Sequence, residues 1–198
     1  MNYFVTAIGT DSGKTVASAV LCHALKADYW KPIQAGTPRD AETVKALCPE
    51  IKIHEERYLL TQPLSPHAAA AIDKKNILLK DIVAPAAAHL TIEGAGGCLA
   101  PVNDREFVIE IAKKTNAEVI VVANLYLGSL NHTMLTLYYL KQNQYRVKGI
   151  ILNGDAPSSE EYIRTHSPYP ILLKMNPEKT ITREVIEKYS KQLNPLQT

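Results

Sequence analysis

The residues best suited to chemistry stand together near the start of the chain: Gly9-Thr10-Asp11-Ser12-Gly13-Lys14-Thr15 follows an apolar run directly and opens a segment with helical spacing. In such a loop, successive backbone N–H groups and the helix N-terminus surround an anion. The lysine reaches the outer phosphates, and the hydroxyl of the following threonine can ligate a divalent cation. A plain glycine turn capped by Thr15 is the competing interpretation. The spacing departs from GxxxxGK[ST], because Ile8 stands where that pattern has glycine and Gly9 comes one residue late. Partition-ATPase-type loops would want a lysine at position 9, which this chain lacks.

Two further segments add charge. In Tyr29-Trp30-Lys31-Pro32-Ile33-Gln34-Ala35-Gly36, Lys31 ends an apolar run and Pro32 halts ladder hydrogen bonding. A cation there can hold a carboxylate, a carbamate or a phosphate, or else be a solvated edge lysine. In Thr91-Ile92-Glu93-Gly94-Ala95-Gly96-Gly97, a carboxylate tips a buried run and is followed by glycines that allow close backbone approach. Buried unpaired, Glu93 is costly, and a metal ion would neutralise it. A turn would also explain the glycines. Asp40 reads by default as a helix N-cap, and together with Thr15 and Glu93 as a third oxygen for Mg²⁺. Leu127-Gly128-Ser129-Leu130-Asn131-His132 opens another helix and offers a second anion site, or simply a capped start. Asn153, ending a strand, could read an adenine edge or sit in a turn. The histidines lack HExxH spacing and the serines lack GxSxG, so zinc hydrolysis and serine acyl transfer are unsupported.

The elements that must carry these residues alternate. Residues 3–8, 28–33, 89–93, 118–123, 147–153 and 170–175 read as strands, most of them apolar throughout, as a sheet covered on both faces requires. Residues 14–27, 40–48, 65–72, 106–115, 130–142, 158–165 and 181–191 carry helical spacing, and residues 51–66 resist assignment. The βα alternation predicts an α/β fold: a doubly wound, mostly parallel sheet of the P-loop NTPase kind, with ligands beyond the carboxyl ends of the strands. The 198 residues, 46% of them hydrophobic, suit a single domain spanning 1–198, with residues 194–198 expected to fray.

Composition narrows the partners. With 22 basic against 20 acidic residues and no charge block, no nucleic acid is expected. The three cysteines lack a CxxC pair, which fits a reducing compartment. The first apolar run is far shorter than the about 20 residues that span a bilayer, so the reading is a cytoplasmic protein without a membrane partner.

Taken together, Phe4-Val5-Thr6 leading to Gly13-Lys14-Thr15, then Lys31-Pro32-Ile33-Gln34, Ser65-Pro66-His67, Ile92-Glu93-Gly94-Ala95-Gly96-Gly97, Gly128-Ser129-Leu130-Asn131-His132 and Asn153 resemble dethiobiotin synthetase in order and spacing across residues 3 to about 155. The resemblance implies ATP- and Mg²⁺-dependent closure of a cyclic urea. The small-molecule substrates would be 7,8-diaminopelargonate, CO₂ and ATP: the diamine takes up CO₂ as a carbamate, ATP phosphorylates it, and the second amine displaces phosphate to give dethiobiotin.

Carried over by residue, the resemblance gives ATP contacts to Thr10, Asp11, Ser12, Gly13, Lys14, Thr15, Val16, Asp40, Glu93, Gly94, Ala95, Gly96 and Asn153, the last facing adenine. Mg²⁺ falls to Thr15, Asp40 and Glu93, and catalytic charge to Lys31 and Lys14. Substrate contacts fall to Lys31, Ala35, Gly96, Gly97, Leu127, Ser129 and Asn131. Those of Leu127 to Asn131 would come from the second subunit of a homodimer. Three departures stand out. Ala7 and Ile8 replace a glycine and a threonine, Ala35 replaces a hydroxyl residue that touches substrate, and the stretch from Ile171 to Pro177 lacks the glycine that helps shape the adenine pocket. Rival readings are a related P-loop ligase acting on another carboxylate and a nucleotide-dependent switch.

Overall fold

The computed structural model describes residues 1–193; the fraying expected of residues 194–198 lies outside the described residues. Its centre is a seven-stranded sheet of β1 (Asn2–Ala7), β2 (Asp28–Trp30), β4 (Ile53–His54), β6 (Leu90–Glu93), β7 (Glu118–Asn124), β8 (Val147–Asn153) and β9 (Ile171–Met175) in the order β4-β2-β6-β1-β7-β8-β9. Every pairing is parallel. Two separate short strands, β3 (Ile33–Ala35) and β5 (Tyr58–Leu60), pair parallel beside it.

Successive strand residues face opposite sides, and each side here has its own core. Tyr3, Val5, Tyr29 and Ile120 pack with residues of α1 (Lys14–Leu25), α2 (Asp40–Leu47) and α7 (Arg183–Ser190). Phe4, Trp30, Ile92 and Val121 pack with residues of α3 (Pro66–Ile72), α4 (Glu110–Lys114), α5 (Ser129–Gln142) and α6 (Pro157–His166). Burial on both faces explains why the strands are apolar throughout. The doubly wound parallel sheet is as the alternation predicts.

Two expectations are corrected in detail. The strand expected over 28–33 is two strands in different sheets, because Pro32 has no N–H with which to continue the ladder, while its carbonyl accepts from Tyr58 N at 2.9 Å. The helix expected over 106–115 begins only at Glu110: Pro101 bridges Phe107, and Val102 N donates to Glu106 O at 2.9 Å, so the preceding residues form a looped-back turn. The unassigned stretch 51–66 holds β4 and β5.

Candidate active site

The carboxyl ends of β1, β2, β6 and β8 meet at one edge of the sheet. After β1 the chain turns through Asp11, at φ 54°, and Gly13, at φ 91°, before α1 begins. Gly13 must be glycine for two reasons: its left-handed backbone, and an Asn153 Nδ2 that would lie 2.4 Å from any Cβ placed there. The Gly9 carbonyl gathers the loop, accepting from Ser12 Oγ at 3.0 Å and Lys14 Nζ at 3.1 Å. Asn153 Nδ2 donates to Ser12 O at 3.0 Å and ties the loop to β8. Among the described residues no side chain caps α1, and its first turn carries no acidic residue, so its N-terminal N–H groups face the loop's concavity without a competing anion. Val16 lies in that first turn, and Ile8, replacing the expected threonine, donates its N–H to Val122 O at 3.2 Å.

Beside this loop four side chains converge from four elements. Thr15 Oγ1 donates within 2.9 Å of Asp40 Oδ1 and 3.1 Å of Glu93 Oε1. Lys31 Nζ lies 2.6 Å from Asp40 Oδ2 and 2.9 Å from Glu93 Oε1. Lys31 is 5% exposed and Glu93 1%, so these are buried charges. Burial opposes the Lys31 charge, but Glu93 and then Asp40 outweigh it and hold its pKa above the ordinary lysine value. Lys14 fares differently: burial lowers it to about 8, and the pull of Glu93 only partly offsets this.

Asp40 is the first residue of α2, whose N-cap is Arg39, so the default cap role does not apply. Its N–H instead donates to Gln34 Oε1 at 3.2 Å, and Gln34 Nε2 donates to Gly36 O at 3.1 Å. Arg39 Nε donates to Glu56 Oε1 at 3.0 Å and anchors the same turn. Tyr29 OH donates to Glu93 Oε2 at 2.9 Å; burial, then Glu93 itself, holds this phenol well above its ordinary pKa. The sequence motif around Lys31 contains Tyr29 and Gln34 but assigns neither a role. Tyr29 is in register with Thr91 on the neighbouring strand and so shares a face with Glu93.

A cleft of about 500 Å³ opens beside Lys31, lined among others by Thr10, Asp11, Ala35, Ser65, Ala95, Gly96 and Gly97. Gly97 brings the β6 loop against the phosphate loop, since a Cβ on it would lie 3.3 Å from Gly9 Cα. Gly94 turns elsewhere: a Cβ there would meet Phe4 at 2.9 Å and Val108 at 3.1 Å, so its smallness serves packing. Leu127, Ser129 and Asn131 are not among the residues lining this cleft. Leu127 and Asn131 are exposed, whereas Ser129 is fully buried and its Oγ accepts from Tyr126 N at 3.1 Å. Thus the loop, Lys31, Asp40, Glu93, Ala35 and Gly96–97 assemble within one chain, and the start of α5 stands apart.

A family model described as an AAA domain matches residues 1–185. The ATP-dependent dethiobiotin synthetase BioD of Cytophaga hutchinsonii is 49% identical over 197 residues, covering 96% of each chain. That of Christiangramia forsetii is 40% identical over 202 residues, covering 97% of each. The chain belongs to the ATP-dependent dethiobiotin synthetase family. Among solved structures, a ParA family ATPase from Chlorobium tepidum TLS is similar with a TM-score of 0.60 at 13% identity, covering 100% of this chain and 93% of that one. This likeness is one of fold: this family member has Gly9 where a partition-type loop wants lysine.

Proposed function

We propose that the protein closes the ureido ring of dethiobiotin from 7,8-diaminopelargonate, CO₂ and ATP, through a carbamate and a carbamoyl phosphate. The observation that carries this reading is the convergence of Thr15, Lys31, Asp40 and Glu93 next to a phosphate loop. An enzyme that phosphorylates a carbamate must bring two anions together. Lys14 and the loop N–H groups hold the nucleotide phosphates, while Lys31 neutralises charge where carbamate and γ-phosphate approach each other. The cleft beside Lys31 receives the diamine, and Gly96 and Gly97 let it pass close to the backbone. The second amine then attacks the carbamoyl carbon, the carbon–oxygen bond to phosphate breaks, phosphate leaves with that electron pair, and the proton lost by the amine passes to the departing phosphate.

The donor set fits Mg²⁺. Thr15, Asp40 and Glu93 offer only oxygens, two of them from carboxylates, which is the donor type a hard cation takes. These three residues would hold it, and bound there it would neutralise phosphate charge during transfer. Asn153 stands at the loop on the β8 side, where the resemblance puts adenine.

A homodimer is part of the reading. Leu127 at 102%, Leu135 at 59% and Tyr138 at 66% exposure make an apolar strip along and before α5, which a second copy of the chain would cover. Asn131 and the N–H groups at that helix start would then meet the tail carboxylate of substrate bound to the partner. A cytoplasmic setting suits three free, buried cysteines, and no helix among the described residues is long and apolar enough to cross a membrane.

The test is to incubate purified protein with diaminopelargonate, bicarbonate, Mg²⁺ and ATP, following dethiobiotin by mass spectrometry and phosphate by colour. Product with diamine-dependent phosphate release is expected. Phosphate release without diamine would favour the switch, and absence of turnover a ligase for another carboxylate.

A further inference from the structure

Glu93 is a carboxylate almost sealed from water, and a buried anion is tolerable only when its oxygens are met by donors. Its two oxygens have partners of different kinds. Oε1 faces Lys31 Nζ at 2.9 Å and Thr15 Oγ1 at 3.1 Å, both of them groups of the phosphate site. Oε2 faces the Tyr29 hydroxyl at 2.9 Å, a neutral donor from the neighbouring strand. Tyr29 pairs in register with Thr91, so its side chain shares the face of the sheet from which Glu93 projects. The ring is 0% exposed and packs in the core beneath α1, an environment that fixes its rotamer.

We propose that Tyr29 is a positioning residue for the metal-facing carboxylate: its hydroxyl pins Oε2 of Glu93, so that Oε1 stays aimed at the point shared by Thr15 and a bound Mg²⁺. The proposal rests on the reading of Thr15, Asp40 and Glu93 as the Mg²⁺ oxygens. Lys31 cannot do this work by itself, because its charge is needed by substrate and its flexible stem follows whichever anion is nearest. A carboxylate held only from that side would be free to rotate as Lys31 is drawn away. The phenol is held by packing rather than by the reaction, so it supplies the constant half of the geometry.

The experiment compares the wild-type chain with Tyr29→Phe, which removes one oxygen and keeps the ring. Titration calorimetry follows Mg²⁺ binding to the ADP-loaded protein, corrected for binding by free ADP, alongside the Mg²⁺ dependence of turnover. Mg²⁺ affinity should fall on the order of tenfold, as loss of an outer-shell partner typically does, and the Mg²⁺ needed for half-maximal turnover should rise to match. Nucleotide affinity without metal should hold, and saturating Mg²⁺ should restore most of the rate. A Mg²⁺ affinity within about twofold of wild type overturns the assignment, as does an equal loss of metal-free nucleotide binding, which marks a merely structural contact. Glu93→Gln separates this proposal from the reading beneath it: if its Mg²⁺ titration is also unmoved, the metal-ligand reading fails, whereas a shifted Glu93→Gln with an unshifted Tyr29→Phe sinks Tyr29 alone. Should Tyr29→Phe not fold, 3-fluorotyrosine placed at position 29 keeps the hydroxyl. Its ¹⁹F resonance should move when Mg²⁺ is added to the ADP complex, and an unmoved resonance counts against the proposal.

Discussion

Lys14 and Lys31 approach the same anion site with different surroundings. Lys14 touches a carbonyl and is depressed by burial to about 8, so bound phosphate adds an opposite charge it otherwise has only at a distance. Lys31 already has two carboxylates within 2.9 Å. Lys14→Ala should therefore weaken ATP binding and turnover together, whereas Lys31→Gln should act mainly on the rate, by about 100- to 1000-fold, with ATP affinity by calorimetry moving far less. Near-wild-type turnover of Lys31→Gln would remove its catalytic role. Lys31 and Glu93 are legible in the sequence because an apolar run followed by proline or glycine marks a side chain delivered to a sheet edge, and Lys14 and Thr15 because a glycine loop that opens a helix marks an anion site. Tyr29, Gln34 and Glu56 are not. Their roles are hydrogen bonds to Glu93, Asp40 and Arg39, partners 64, 6 and 17 residues away, and no motif spacing names those partners.

At the scale of elements, the phosphate loop is held from outside as much as from within. Its own bonds converge on Gly9 O, and the Asn153 amide, donating to Ser12 O at 3.0 Å, ties it to β8. The sequence suggested Asn153 for adenine, and the structure adds a brace that acts on the loop whatever base is bound. Asn153→Ala should cost about 1 kcal/mol of loop positioning, near fivefold in affinity if all of it appears in binding. Comparing ATP, GTP and tripolyphosphate by calorimetry separates the roles: a brace weakens all three alike, an adenine reader weakens ATP alone. Strands and helices were readable wherever burial on both faces or helical spacing was unbroken, as in β7 and α5. They were misread where one residue redirects the chain. Pro32 split an apparent strand, and the turn closed by Asn103 Oδ1 accepting from Arg105 and Glu106 N–H at 2.9 and 3.0 Å replaced the start of an apparent helix.

For the whole molecule, the sheet order places β1 in the middle, with β6 and β7 on either side, so the phosphate loop and the β6 loop necessarily meet at one end. The start of α5, reached from β7, points its Leu127 and Asn131 to solvent and leaves the Lys31 cleft without them. If those residues serve substrate, they serve it on another copy of the chain. That predicts complementation. Lys31→Ala and Asn131→Ala chains should each be nearly inactive alone, because every homodimer of either kind lacks one required group in both sites. In a mixed dimer, one site combines Lys31 from the second variant with Asn131 from the first and is intact, while the other site carries both losses. With equal amounts and free exchange, half of the dimers are mixed and half of their sites work, so activity should return to roughly a quarter of wild type. Subunit exchange is confirmed independently by native mass spectrometry of chains of unequal tag mass. Exchange without recovery would place Asn131 outside the site and return the apolar strip on α5 to the status of a surface without a role in catalysis.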